Sequence, residues 1–192
     1  VTQAQEGTGE YEIVELGVLP GLDYSSPSVL NNNGLVAGTC FLRADPGFAG
    51  FVWENGQMQS LAERTGQPYN INFPNDVNAA GVIVGGSAGS EGNYTAFRIE
   101  GSQFADLGTI DDLPNATAAA INDDGIIVGW CTDSIYGPDP FEPARAVIWN
   151  DGQIARLETN DATESHAYGI NAAGDIVGDA RWGATSASQA GV

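Results

Sequence analysis

The sequence predicts an all-β repeat protein, a β-propeller or partial propeller of about four four-stranded antiparallel blades. A motif with an Asn-x-x-Gly step occurs four times, and its asparagines are 47, 44 and 49 residues apart. A second motif, an apolar strand followed by a turn and a Gln, occurs three times in phase with the first. Propeller blades are typically units of four short strands that repeat about every 40 to 50 residues. One blade cannot bury both of its faces, so blades stack on one another.

The first motif predicts a β-hairpin in each repeat. It covers residues 30–38, 77–85, 121–129 and 170–178. Asn bonds its own backbone in a turn, and Gly accepts the positive φ that closes it. The turn is followed by a short run of apolar, mostly β-branched residues, as at 35–37, 82–84 and 126–128. Such runs suit strands that are buried on both faces.

The second motif predicts another hairpin. Its strand contains Phe51, Phe97 or Val147, and two of its turns carry Asn55-Gly56 and Asp151-Gly152. A Leu ends each copy, at Leu61, Leu107 and Leu157. Each complete repeat therefore holds four strands. We expect the strand before the Asn turn to be innermost and the strand that ends at Leu to be outermost. No segment shows a helical periodicity.

The repeats define the domain organisation. We predict a flexible segment at 1–10 and a single repeat domain at 11–192, with an outer strand at 11–17 and repeats at about 18–61, 62–107, 108–157 and 158–192. The fourth repeat contains the first hairpin and lacks the second. An open strand edge is a liability that proteins cover. We expect the natural chain to continue into further repeats. Otherwise, residues 184–192 or a neighbouring chain would cover that edge. Strand 12–16 could also pair with the last blade.

Composition restricts the partners. The chain has 25 acidic residues and 6 basic ones, all of them Arg, for a net charge of -19. This charge repels phosphate backbones, which argues against nucleic acid and anionic membrane surfaces as partners. No apolar run approaches the roughly 18 residues of a transmembrane segment. The acidity fits either ordinary solubility or adaptation to high salt. Cys40 and Cys131 form no disulfide framework, and we expect no bond between them.

The repeat resembles the HAF repeats of extracellular bacterial proteins. The segments that carry the resemblance are Asp106-Leu107-Gly108, the run from Ala120 to Gly129, and Ala146-Val147-Ile148-Trp149. It extends over roughly residues 11 to 192. The His-Ala-Phe entry of that family is replaced here, for example by Thr95-Ala96-Phe97. The resemblance implies a secreted or surface-displayed bacterial protein and implies no particular chemistry.

The longest connection is the candidate binding loop. It separates Gly129 from Val147 by 18 residues, where the other complete repeats use 13 and 12. Inserted loops on a rigid scaffold cost little stability and often carry binding. The candidate binding residues, which could stack on a sugar or anchor a protein, are Asp133, Tyr136, Asp139, Phe141 and Glu142. The alternative is a proline-stiffened loop that covers an apolar edge.

Neither catalytic nor metal-binding residues are predicted. His166 is the only histidine, and its equivalents are Ser26, Phe73 and Thr117. A position that accepts those residues is structural. The chain shows no Ser/His/Asp set, phosphate loop or zinc spacing. The turn at 122–125 carries Asp123 and Asp124, which makes Ca²⁺ a candidate cofactor. Its equivalents at 78–81 and 171–174 lack carboxylates, so turn chemistry is the better account.

We therefore expect a non-enzymatic module that binds a protein or carbohydrate partner or serves as a subunit of a larger assembly. One alternative is a carbohydrate-active propeller enzyme that uses a pair of rim carboxylates. Another is a calcium-stabilised adhesin, in which a chelator would abolish the stabilisation by the ion.

Overall fold

The chain folds into a row of antiparallel β-sheets. The computed structural model describes residues 2–4, 11–43, 47–67, 71, 73–88, 93–110, 113–133 and 143–182. These residues form three four-stranded sheets, two two-stranded sheets and one short helix. The all-β prediction is confirmed, and three of the four repeats show the four strands that were predicted.

The elements follow one another in chain order. A small N-terminal sheet pairs β1 (Thr2–Ala4) with β2 (Tyr11–Ile13). The first sheet holds β3 (Tyr24–Leu30), β4 (Val36–Phe41), β5 (Phe48–Glu54) and β6 (Gln57–Ser60), which is followed by helix α1 (Leu61–Thr65). The second holds β7 (Phe73–Val77), β8 (Ile83–Ala88), β9 (Tyr94–Glu100) and β10 (Gln103–Asp106). The third holds β11 (Asn115–Ile121), β12 (Ile127–Thr132), β13 (Ala144–Asn150) and β14 (Gln153–Arg156). The fourth holds β15 (Glu164–Ile170) and β16 (Ile176–Arg181).

The strand order agrees with the expected one. In each four-stranded sheet the strand before the Asn turn forms one edge and the strand that leads to Leu forms the other. The first strands of successive sheets, β3, β7, β11 and β15, contact one another in turn. They therefore lie side by side along one edge of the row.

The Asn-x-x-Gly turns form as the residues predict. Asn31 Oδ1 accepts hydrogen bonds from the backbone N–H groups of Asn33 and Leu35, at 3.0 and 3.1 Å. Gly34 has φ +82°, in the left-handed region that favours glycine. In the second hairpin of the third sheet, Asp151 and Gly152 both have positive φ, at 50° and 74°. Two positive φ values in succession are the mark of a type I′ hairpin turn.

A β-bulge explains the glycine that ends each first motif. The register of the first strand pair shifts by one residue in all four sheets, for example between Ala118 and Ala120. Gly129 lies opposite Ala118, and a Cβ at this position would overlap the carbonyl oxygen of Thr117. Only glycine lets the bulged strand approach this closely.

The core lies between the sheets. Leu35 and Ala37 of the first sheet pack with Phe97 and Ile99 of the second. Equivalent clusters join the second sheet to the third and the third to the fourth. The runs 35–37 and 82–84 are buried on both faces, as predicted. In the third predicted run, 126–128, Ile127 and Val128 are buried and Ile126 is only half-buried. The opposite face of the first sheet is covered by three leucines of the preceding segment, Leu16, Leu19 and Leu22.

Two features differ from the expectations. Residues 61–65 form a single-turn helix, α1, with Ser60 as its N-cap and Gly66 as its left-handed C-terminal residue. The strand expected at 12–16 is shorter: β2 pairs with β1, and among the described residues it does not pair with the fourth sheet. Cys40 and Cys131 are both buried, and no disulfide joins them in the described part of the chain.

Candidate functional site

The loop predicted to bind is described only at its start. Asp133 follows β12 and is exposed, and its backbone carbonyl accepts a hydrogen bond from Asn115 Nδ2 at 3.1 Å. The other four predicted residues, Tyr136, Asp139, Phe141 and Glu142, lie outside the described residues. Binding by this loop stays a prediction.

A ladder of asparagine side chains joins the four repeats. Asn31 Nδ2 donates to the backbone carbonyl of Asn78 at 3.0 Å, Asn78 Nδ2 donates to that of Asn122 at 3.2 Å, and Asn122 Nδ2 donates to that of Asn171 at 3.2 Å. Asn31, Asn78 and Asn122 thus each use the side-chain oxygen for their own turn and the nitrogen for the next one. The ladder fixes the spacing of successive turns.

Three asparagines of the ladder, Asn31, Asn78 and Asn122, line a small cavity that is open to solvent. Its volume is about 290 Å³, and it is lined from all four repeats by the residues that precede each asparagine, Leu30, Val77, Ile121 and Ile170. Asp123 Oδ1 accepts a hydrogen bond from the N–H of Ala79 in the neighbouring turn. This carboxylate therefore has a structural partner, which supports the turn interpretation of the 122–125 motif over a calcium site.

His166 lies at the junction of the third and fourth sheets. It is 5% exposed, and its Nδ1 is 2.8 Å from Asp179 Oδ1 on the paired strand. Trp130 of the third sheet meets the imidazole edge-on, with ring centroids 5.3 Å apart. The hydroxyl of Tyr168 donates to the other oxygen of Asp179 at 3.1 Å. The cluster is a polar and aromatic joint between two sheets.

The electrostatics of this joint act mainly on Asp179 and Tyr168. Partial burial raises the pKa of Asp179, but hydrogen bonds from His166 and Tyr168 and the charges of His166 and Arg181 outweigh it, so the pKa lies below its usual 3.8. Burial and then the neighbouring Asp179 raise the pKa of Tyr168. Ser165, next to His166 in β15, accepts a hydrogen bond from the N–H of Ala146. Among the described residues, its hydroxyl makes no hydrogen bond with His166. This arrangement resembles no nucleophile–base–acid set.

A groove between the second and third sheets is the candidate functional site. Its volume is about 350 Å³. Its apolar wall contains Leu107, Ile127 and Trp149, and its polar groups include three carboxylates, Asp106, Asp124 and Asp151. Ligand sites combine an apolar wall with a few polar groups in this way.

The polar groups of the groove are bonded to different extents. Asp106 Oδ1 accepts a hydrogen bond from the N–H of Gly108 at 2.8 Å. Arg98, which also lines the groove, forms an ion pair with Glu100 at 2.9 Å. Within the described part of the chain, no bond is made by the carboxylates of Asp124 and Asp151. The groove therefore presents free acceptors and an arginine that is already neutralised.

In the described part of the chain, Trp149 supplies the one buried side-chain donor that lacks a partner. The residue is 3% exposed, and among the described residues its Nε1 is the only buried side-chain nitrogen or oxygen without a hydrogen bond. An unsatisfied buried donor costs about 1 to 3 kcal/mol, so native proteins rarely keep one without a reason.

Sequence reasoning missed this groove. Its residues come from β9, β10 and the segment that follows it, and from the two turns and strands β12 and β13 of the third sheet, so only the packing of two repeats brings them together. Trp149 matches Trp53 in the repeat pattern, so the sequence did not set it apart. The available signal was the departure from the repeat: the equivalents of Asp124 and Asp151 in the second sheet are Ala80 and Gly101.

Comparisons with known proteins add no family. Neither the protein-family models, nor the curated proteins, nor the solved structures contain a match to this chain. In the described residues no helix has the length and apolar character needed to cross a membrane. The same residues contain no group of three His, Cys, Asp or Glu side chains placed to hold a metal ion.

Proposed function

We propose that the four repeats form a propeller-like array, a partial propeller, that works outside the cell as a binding or structural module and not as an enzyme. The asparagine ladder supports the propeller-like arrangement, because Leu30, Val77, Ile121 and Ile170 line one common cavity and the first strands lie along it. The extracellular location rests on the resemblance of the repeat to HAF repeats.

The groove between the second and third sheets carries the proposal of binding. It joins an apolar wall and free carboxylates on strands that the ladder holds in place. Pre-formed sites on rigid elements lose little entropy when a ligand binds. The partner can equally be part of a larger assembly that inserts a side chain into the groove.

The enzyme alternative has one observation in its favour. Three carboxylates, those of Asp106, Asp124 and Asp151, line a single groove, and glycoside hydrolysis requires two. A calcium-stabilised adhesin remains a second alternative, for which the test is a thermal shift with CaCl₂ that a chelator reverses.

A turnover assay tests the proposed function. The purified protein is incubated with a panel of chromogenic glycosides and soluble polysaccharides over a range of pH, and the release of reducing ends is measured. We expect no release above the blank. Release that is lost in Asp124→Asn or Asp151→Asn and kept in Asp175→Asn, which changes an exposed aspartate outside the groove, would overturn the non-catalytic role.

A further inference from the structure

We propose that the end face of the fourth sheet docks on the end face of the first sheet of a second copy of this chain, so that copies join head to tail. This surface is separate from the groove, and it goes beyond the proposed function. In the described part of the chain, seven large hydrophobic side chains are exposed, and all of them lie at the two ends of the row. The first sheet and the segment before it carry Ile13, Val18, Tyr24 and Leu30, and the fourth sheet and the residue after it carry Tyr168, Val177 and Trp182. Such concentrations of exposed apolar side chains mark interaction sites.

The two end faces are the two halves of the junction that recurs inside the row. In every internal junction, a residue of the second strand packs in one cluster with the residue that precedes the Asn turn of the next sheet. The three pairs are Ala37 with Val77, Val84 with Ile121, and Val128 with Ile170. Val177 and Leu30 hold the two equivalent positions at the ends of the row, and they are 66% and 56% exposed. A fourth pair of the same kind therefore stands open.

A second copy of the chain carries the half that each end face lacks. Within one chain the side chains of Val177 and Leu30 are both exposed, so its own fourth and first sheets do not cover these two residues. Each end face repeats the apolar positions that meet their counterparts at the three internal junctions, so docking needs no new kind of contact. Because the two faces differ, the contact between copies is heterologous.

The polar groups of the fourth-sheet face fit the same arrangement. At the third internal junction, Trp130 of the second strand meets His166 of the next sheet, with ring centroids 5.3 Å apart. The equivalent residues at the proposed junction are Asp179 of one copy and Ser26 of the second copy, and both positions are exposed. A carboxylate accepts a hydrogen bond from a hydroxyl, so the two residues are compatible across the contact.

The association should depend on the salt concentration. Each copy carries a net charge of -19, which repels a second copy. The asparagine ladder does not extend across the junction, because Asp175 Oδ2 accepts from the Asn171 amide. The apolar contact must therefore outweigh the repulsion, which salt screens within about 3 Å at about 1 M and within about 30 Å at about 0.01 M. In sedimentation equilibrium at the higher salt, we expect the 192-residue chain to form a species of at least twice its mass of 19.9 kDa, which dissociates on dilution. At the lower salt the association should be weaker.

One variant disrupts each face. Val177→Arg and Leu30→Arg each place a charge at an exposed apolar position, and both reduce the net negative charge. The repulsion between copies therefore falls, and a loss of association comes from the damaged face. We expect each variant to raise the dissociation constant at least about tenfold. Gln103→Arg makes the same charge change at an exposed position of β10, outside both faces, and should leave the dissociation constant unchanged. Circular dichroism checks that each variant folds, and Leu30→Gln replaces Leu30→Arg if the latter does not.

Mixing the two variants tests the head-to-tail orientation. Val177→Arg keeps the first-sheet face and Leu30→Arg keeps the fourth-sheet face, so an equimolar mixture should associate through one intact junction, more tightly than either variant alone. A wild-type chain that stays monomeric at both salt concentrations overturns the proposal, whether its end faces remain bare or close on each other. Association that neither variant weakens, or that the mixture does not restore, overturns it too. None of these results bears on the groove, which the turnover assay tests separately.

Discussion

The asparagine ladder makes a quantitative prediction at Asn78. This buried side chain has two roles: Oδ1 accepts from the N–H of Val82 at 3.0 Å, and Nδ2 donates to the carbonyl of Asn122 at 3.2 Å. In Asn78→Ala the buried Val82 N–H loses its acceptor, at a cost of about 1 to 3 kcal/mol, and the bond between sheets is lost at about 1 kcal/mol more. The carbonyl of Asn122 keeps its bond from Gly125 N–H. We therefore expect a loss of about 2 to 4 kcal/mol in the free energy of unfolding.

Asn171→Ala is the matched control. Asn171 makes the same turn, with Oδ1 accepting from the N–H groups of Ala173 and Asp175, but its Nδ2 bonds Asp175 Oδ2 within the turn. The residue is exposed, so water replaces the lost bonds and the expected cost is about 1 kcal/mol or less. Urea denaturation followed by circular dichroism measures both variants. Equal destabilisation of the two would refute the claim that the inter-repeat bond and its burial stabilise the fold.

Three further variants test the bulge and the titrating groups. Gly129→Ala should cost about 3 kcal/mol or more, because its Cβ would overlap the carbonyl oxygen of Thr117, whereas Gly47→Ala should be nearly neutral because its Cβ makes ordinary contacts. The pKa of Asp179 is lowered, so the stabilisation by its carboxylate is present at neutral pH and is lost as the pH falls below 3.8 and through the lowered pKa. In Asp179→Asn, the melting temperature should therefore fall less steeply over this acid range. Burial raises the pKa of Tyr94 from 10.0 to about 12, so the stability linked to its neutral form is complete below pH 10 and is lost between about pH 10 and 12. Tyr94→Phe should remove that alkaline loss.

Each of these has a contrary result. A Gly129→Ala variant as stable as Gly47→Ala would mean that the bulge is not required. If the melting temperature of Asp179→Asn falls in acid as it does in the wild type, the environment of Asp179 does not control the acid dependence. The same holds for Tyr94→Phe and the alkaline dependence.

The turns and strands were predictable because their causes are local. An Asn that bonds its own backbone and a Gly with positive φ are both present within four residues, and Asn31 and Gly34 behave as that chemistry requires. Burial on both faces followed from unbroken apolar runs, and it holds at 35–37 and 82–84.

Helix α1 was predictable in principle but not from periodicity. Five residues make little more than one turn, so no amphipathic repeat can develop. The local signal was the capping pair, in which Ser60 Oγ accepts from the N–H of Glu63 at 3.0 Å, followed by Gly66 with φ +68°. A Ser-x-x-Glu step with a Gly beyond it is an ordinary sign of a short helix.

The groove and the ladder depended on packing and were out of reach. The Nδ2 of Asn78 could have faced solvent, and its partner Asn122 is 44 residues away. The sequence showed that the asparagines form turns. The hydrogen bond that an amide nitrogen donates to the next turn, however, depends on how closely two sheets stack. The groove depends on packing in the same way, because Arg98 and Asp151 are far apart in sequence and line it from two different sheets.

In a repeat protein, the positions at which one copy departs from the others without a packing need are the ones that point to function. The fourth sheet shows how packing alone accounts for some departures. Val177 is 66% exposed, whereas its equivalents Ala37, Val84 and Val128 are fully buried because another sheet covers each of them. Asp175 stands where the other turns carry an apolar residue, and its carboxylate takes the Asn171 amide that elsewhere continues the ladder. An exposed face explains both. Asp151 has φ 50°, as Asn55 has φ 53° at the same turn position of the first sheet, and Trp149 repeats Trp53. What distinguishes the third sheet from the second is charge, because Asp124 and Asp151 stand where the second sheet has Ala80 and Gly101. For this reason we place the candidate binding groove at this junction and not at the more conspicuous His166 cluster, whose groups satisfy one another.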